Sequence, residues 1–352
     1  MMITRVERID ERLRSLEKPL LEPLDRLFLE KNGVLVLAAG FEDRALGTLK
    51  CLASSGSKGF KTILINYKPF LKENKIKEIK ELCSDLDSGV IDFEYDRYNP
   101  AGGGEGLVNL LGKNQGPILF DISAVSRFLI VQFLVTLGKS ERNFSAARVV
   151  YSEARFYPPT KDEVKKKIGT KGTDCINSVY HDYFISSGVY ELSIVSELSS
   201  IASYGQQVRL VVFPSFNCDQ LSSLKGEIQP FFFHIINGIP PAPENAWRPG
   251  DISKLNHIED ISKREEMNTS TLDYRETLDY LLTVYNEYTD KDRIVIAPTG
   301  SKMQAVAVGI FRTFMNDVQV VYPIPRKYTS PRQYTEGIKN MYTLNLEVFG
   351  KL

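Results

Sequence analysis

From Gly33 onward the chain alternates short apolar runs with longer stretches in which apolar residues recur every three or four positions. VLVLAAG (34–40), TILINY (62–67), VIDFEYD (90–96), PILFDI (117–122) and ARVVYSEARFY (147–157) read as strands. Between them, FEDRALGTLKCLASSG, LKENKIKEIKELCSDL, GLVNLLGK and FLIVQFLVTLGK carry helical spacing. Strands apolar on both faces and separated by helices belong to a parallel sheet covered on its two sides. The pattern predicts an α/β protein whose first half is a Rossmann-like layer.

The same pattern returns further along. An offset of 175 residues lays 36–50 over 211–225, matching Phe41, Leu46, Leu49 and Lys50 with Phe216, Leu221, Leu224 and Lys225. FFFHIIN (231–237) stands where the second strand belongs, and TLDYRETLDYLLTVYNEY (271–288) where a helix does. RIVIAPTGSKMQAVAVGIF (293–311) mirrors ILFDISAVSRFLIVQF, and VQVVYPIPRKY (318–328) mirrors ARVVYSEARFY. Such self-similarity predicts two tandem Rossmann-like three-layer units with mainly parallel sheets, related by internal pseudo-duplication. A charged amphipathic stretch broken at Pro19 and Pro23 predicts an N-terminal helical cap over 1–32, a helix pair. The expected divisions are then 33–160 for the first unit, 161–205 for a linker and helical connection, and 206–352 for the second. Residues 161–172, basic and without an apolar face, read as linker or exposed arm.

Composition narrows the function. Of 352 residues 43% are hydrophobic and 25% charged, a globular balance, and 44 basic side chains meet 44 acidic ones. With no net field, duplex nucleic acid is not an expected partner. No apolar run approaches the roughly 20 residues that cross a bilayer, so no membrane partner is expected either. Cys51, Cys83, Cys175 and Cys218 show no paired spacing and the start shows no secretory pattern, which predicts reduced thiols in the cytoplasm. His181, His234 and His257 lack metal-ligand spacing, so neither metal nor cofactor is expected, and His234, inside an apolar run, reads as a core residue.

Ligands of open α/β sheets gather beyond the carboxyl ends of the strands. The first-strand turn supplies Gly40, Phe41, Glu42, Asp43 and Arg44, and the fourth-strand turn Asp121, Ser123, Ser126 and Arg127. The second half supplies Ser215 and Asn217, then Thr299, Gly300, Ser301 and Lys302. ISAVSR and APTGSK both put hydroxyls and one cation at a strand-to-helix junction, where free amides and the cation can hold phosphate oxygens. The same hydroxyls also serve as helix caps beside solvated cations. Recurrence in both copies favours the anion site. Neither GxGxxG nor a P-loop is present. Glu42 or Asp43 can act as general base with Arg44 or Arg127 as charge stabiliser, Glu42 can instead accept a ribose hydroxyl, or these acids merely complement a helix dipole. The second copy has Asn217, Cys218 and Asp219 there, so this set is not repeated. PAGGGEG (100–106) reads as a flexible loop, and Tyr67, Tyr157 and Tyr328 either stack a base or pack a core.

Tandem layers with SAVSR and PTGSK after the fourth strands resemble the CRISPR-associated Rossmann-fold (CARF) sensor domains of prokaryotic antiviral systems. In that family the corresponding turn and the loop after the first strand form a pocket for cyclic oligoadenylate. The resemblance implies ligand contacts at Thr299, Gly300, Ser301, Lys302, Ser123, Ser126 and Arg127, and in the loops around Phe41 and Phe216. PTGSK has one glycine where the family turn has two, SAVSR has none, and no segment reads as the ribonuclease module such sensors drive. The function implied is a nucleotide-sensing module with an anionic nucleotide ligand and an effector or defence-complex protein as partner. Two other readings stay open: an enzyme cleaving a nucleotide or cyclic messenger, and a non-catalytic interaction subunit of a defence complex.

Overall fold

The computed structural model describes residues 8–112, 116–171, 186–328 and 334–352. Gly172, Cys175 and His181 lie outside the described residues, as does the first part of the N-terminal segment.

Strands β1 (Val34–Ala38), β2 (Lys61–Lys68), β3 (Gly89–Asp96), β4 (Ile118–Asp121) and β5 (Ala147–Phe156) lie parallel in the order β3-β2-β1-β4-β5. Strands β6 (Val208–Val212), β7 (Phe232–Ile239), β8 (Arg264–Ser270), β9 (Arg293–Ala297) and β10 (Gln319–Val320) repeat that order as β8-β7-β6-β9-β10, again all parallel. Each half is a Rossmann-like unit with its first strand at the centre. The central strands are buried on both faces, β1 along its whole length, which is why they read as unbroken apolar runs.

Helices α1 (Ile9–Ser15), α2 (Gly47–Ser54), α3 (Ile76–Asp85), α4 (Gly103–Leu111) and α5 (Arg127–Lys139) precede or belong to the first half. Helices α6 (Lys161–Lys171), α7 (Cys218–Ile228), α8 (Arg248–Leu255), α9 (Tyr274–Tyr288) and α10 (Lys302–Phe314) follow. The offset of 175 carries α5 onto α10 end for end. These two helices join the halves: one apolar core runs from Val34, Phe120 and Leu134 to Val211, Ile296 and Phe311. Phe128, Leu129, Ile130, Phe133 and Leu134 are each at most 2% exposed, and each contributes about 1.5–3 kcal/mol through burial. Leu134 meets Gly309, whose Cβ position lies 2.9 Å from Leu134 Cβ, and Gly138 meets Thr313, with 2.5 Å to Cγ2. The offset maps Leu134 onto Gly309 and Gly138 onto Thr313, so each residue faces its own counterpart, as across a twofold axis. Separate apolar clusters cover the far face of each sheet.

Several expectations are corrected. Strand β11 (Glu336–Asn345), placed by the sequence in a second unit ending at 352, pairs antiparallel with β5 and so extends the first sheet. The ten-residue edge of β5 would otherwise stand unpaired. In place of the N-terminal pair of helices the described residues hold one helix, α1, followed by the two-residue strand Glu22–Pro23 beside β11. The glycine stretch at 100–106 is not an open loop, because α4 begins at Gly103. A Cβ on Gly104 would stand 2.5 Å from the Gln132 carbonyl oxygen, so glycine here permits α4 to close on α5. The expected arm is helical over the described residues 161–171, as α6, capped by Thr160 and Glu163, and its Val164 packs with Phe216 and Leu255.

Candidate functional site

The carboxyl ends of the two sheets face a common cavity of about 450 Å3. Glu42, Arg44, Ser126 and Arg127 line it from the first half, and Ser215, Asn217, Thr299, Gly300, Ser301 and Lys302 from the second. The fourth-strand turns of both copies therefore share one hollow. The remaining sequence candidates shape its walls from behind. Gly40 lets the first-strand turn approach the fourth, since its Cβ position is 2.9 Å from Ala124 Cβ. Phe41 packs edge-on against Tyr334, which itself faces the cavity. Asp43 points away, pairing with Lys75 at 2.8 Å and accepting the Gly337 N–H at 3.1 Å. Asp121 accepts the Ser123 N–H at 2.8 Å, and Ser123 Oγ accepts the Ser152 N–H at 2.8 Å. Both are buried turn-builders that do not reach the cavity, and burial pushes the Asp121 carboxyl up from its ordinary pKa.

The hydroxyls of the two turns cap their helices. Ser126 Oγ accepts the Leu129 N–H at 3.4 Å, and Ser301 Oγ accepts the Gln304 N–H at 3.1 Å, with Gln304 answering the Ser301 N–H at 2.7 Å. Thr299 Oγ1 donates to the Phe213 carbonyl at 2.7 Å. Both cations are half-buried and bonded to the facing turn. Arg127 Nη1 donates across the junction to the carbonyls of Thr299 and Gly300, the latter at 2.6 Å, and Lys302 Nζ donates to the Val125 carbonyl at 2.5 Å. The offset of 175 maps Arg127 onto Lys302 and Val125 onto Gly300. Each cation thus binds the carbonyl that is the counterpart of the one bound by the other, and the two turns are stitched together. Burial, together with the nearby Arg44 and Arg127 guanidinium groups, pushes the Lys302 ammonium down to about 7.

Asymmetry enters at the first-strand turns. Glu42 and Arg44 form a buried ion pair, and Thr335 Oγ1 donates to the same Glu42 oxygen. Burial works against the Arg44 charge, but Glu42, Tyr151 and Tyr157 outweigh it and hold the guanidinium protonated. In the second half Ser215 Oγ accepts the Asn217 N–H at 3.2 Å, and among the described residues the buried Asn217 Nδ2 has no hydrogen-bond partner.

The cavity also recruits residues that the sequence did not single out. Arg97, directly after β3, holds its guanidinium 4.0 Å from the Tyr67 ring centre and 4.6 Å from that of Tyr328. Its place at a strand end was a readable signal. Arg248 donates to the Pro159 carbonyl at 3.0 Å and to Asn245 at 2.9 Å; Glu153 accepts from Asn340 at 3.0 Å. Arg248 had no local signature, whereas Glu153, near the end of β5, falls under the rule of strand ends. Of the tyrosines named from sequence, Tyr157 and Tyr328 face the cavity, while Tyr67 is buried behind it. Among the described residues Arg44, Arg97, Arg127, Arg248 and Lys302 stand against two lining carboxylates, Glu42 and Glu153, in a chain whose charges cancel overall. Tyr95, Tyr151, Tyr322 and Tyr334 add aromatic surface. Among the described residues no cluster of His, Cys, Asp or Glu is arranged to hold a metal ion, and no helix is long and apolar enough to cross a membrane.

The class this defines is a pair of Rossmann-like units, joined through their fourth-strand helices, with a cationic and tyrosine-rich cavity at the junction. No protein-family model matches the sequence, and no curated protein matches it. Among solved structures the chain is similar to a putative universal stress protein from Pseudomonas aeruginosa UCBPP-PA14, at 10% identity and a TM-score of 0.23 over 84% of this chain and 93% of that one.

Proposed function

We propose that the protein is a nucleotide-sensing module that binds an anionic nucleotide between its halves. The observation that carries this reading is the shared cavity itself: Arg127 and Lys302, one from each copy, line it together with three further cations. Phosphate oxygens suit the cations and helix-start amides, and a base suits the tyrosine faces. A volume of about 450 Å3 falls in the range, roughly 300–1,000 Å3, of sites that enclose small molecules. Because the stitch between the turns borders the ligand space, an anion there competes with the Thr299, Gly300 and Val125 carbonyls for the two cations. Binding would thereby be transmitted to the contact between the halves. A cytoplasmic role in antiviral defence, with an effector or defence-complex protein as partner, belongs to the same proposal and draws on the resemblance to CARF domains.

The test is calorimetry and thermal shift with AMP and with linear and cyclic oligoadenylates. A ligand at a hundred times its Kd stabilises the folded state by about 2.7 kcal/mol. No shift with any nucleotide rejects the proposal. A second reading, cleavage of the nucleotide, is favoured by the buried Glu42 at the cavity wall, an acid with no counterpart in the other copy. Incubation of protein with each oligoadenylate, followed by chromatography, decides it: product that disappears with Glu42→Gln supports an enzyme.

A further inference from the structure

Four of the five cations around the cavity already have acceptors. Arg44 has Glu42, Arg127 has the Thr299 and Gly300 carbonyls, Lys302 has the Val125 carbonyl, and Arg248 has the Pro159 carbonyl. Arg97 differs. Among the described residues its buried Nη1 has no hydrogen-bond partner, and no carboxylate pairs with it. What holds the guanidinium is aromatic: the faces of Tyr67 and Tyr328. Tyr67 is in turn fixed to the fourth-strand turn, because its hydroxyl accepts the Ser126 N–H at 2.7 Å. The Arg97 backbone N–H donates to the Lys68 carbonyl at 3.0 Å, so main chain and side chain are both set in place.

A positioned guanidinium with unused donors, facing a cavity, is costly unless an acceptor arrives. Its planar fork matches a phosphate or carboxylate bidentately, as a lysine would not. The structural counterpart of Arg97, the residue directly after the third strand of the second half, is Thr271, which also lines the cavity but carries no charge. The anchor therefore exists on one side of the pseudo-twofold only.

We infer that Arg97 is the residue on which the anionic group of the ligand docks, and that the ligand is held in one direction, with its phosphate toward the first half. This rests on the nucleotide-binding reading and specifies it. The probes are AMP and adenosine, with cyclic tetra-adenylate as a third, titrated calorimetrically into the wild-type protein, Arg97→Met and Arg97→Gln. The wild type should prefer AMP to adenosine by at least about tenfold. Both variants should lose that preference, and each phosphate-bearing probe should weaken by at least about tenfold while adenosine is unaffected. Two neutral replacements of different shape guard against a folding defect in either one, and the ligand-free melting curve of each identifies it. If the wild type binds AMP and the variants bind it equally well, Arg97 is not the anchor, although the nucleotide reading stands. If the wild type binds none of the probes, both fall.

Discussion

Lys302 offers a direct measurement of the stitch between the two turns. Its ammonium is packed against the Val125 carbonyl with Arg44 and Arg127 nearby, and burial is the largest influence on its titration. In the unfolded chain such a group keeps its proton up to about 10.5; in the folded protein it gives it up near 7. Between those values the unfolded chain binds one proton more than the folded one, so stability rises with pH, by about 1.4 kcal/mol per pH unit at most. The contribution is complete above about 10.5 and is lost as the pH falls through 7. Integrated over that window the ceiling is roughly 5 kcal/mol. Lys302 is only half-buried at the cavity wall, where its charge is partly screened, so an effect of about 2 kcal/mol is expected. The assay is urea unfolding of the wild type and Lys302→Met at pH 6.5 and 9.5. Other groups titrate in both proteins and cancel in the comparison. The wild type should gain about 2 kcal/mol more than the variant on going to pH 9.5. Parallel pH profiles would show the ammonium to be ordinarily solvated and would refute the buried cross-turn bond.

The same proton predicts linkage with the ligand. AMP binding at pH 8 should draw a proton onto Lys302, read as a difference in apparent enthalpy between Tris and HEPES buffers, and affinity should fall as the pH rises above 7. Arg127→Ala removes charge-assisted hydrogen bonds from the Thr299 and Gly300 carbonyls and should cost about 2–4 kcal/mol in urea unfolding, where a loss under about 0.5 kcal/mol would deny the stitch. Gly309→Leu drives a side chain into Leu134 and should destabilise by about 1–3 kcal/mol or prevent folding; an unchanged urea midpoint would contradict the helix contact.

How much was legible follows from which forces are local. Strands β1, β2, β4 and β6 are central, apolar on both faces, and stand out in the sequence. Strand β8, REEMNTS, does not: it pairs on one side only, is largely exposed, and so carries charges where an apolar run was sought. Strand β11 is not among the strands read from the sequence, and nothing local says that it crosses back to β5. At the site, the rule of strand ends found both fourth-strand turns and the Glu42–Arg44 pair. It did not reveal that Arg127 and Lys302 spend their donors on each other's turns, because that depends on how the halves dock. Arg97 was within reach of the rule and was passed over for the glycines that follow it, which prove to be packing contacts of α4.

The division between symmetric and asymmetric parts of the molecule has a physical cause. A helix face that packs on its own counterpart must be self-complementary, as in an isologous dimer interface. Leu134 against Gly309 and Gly138 against Thr313 meet that demand in one chain, with a small residue opposite a larger one at each contact. The reciprocal bonds of Arg127 and Lys302 meet it too, and even the change from arginine to lysine keeps a cation on a carbonyl. Around the cavity no such constraint acts, and there the copies diverge: where the first has Glu42 and Arg97, the second has Asn217 and Thr271. A symmetric ligand would use equivalent groups twice; these walls do not offer them twice. Calorimetry should therefore give one AMP per chain, and two equal sites would contradict a phosphate anchor, Arg97, present in the first half alone.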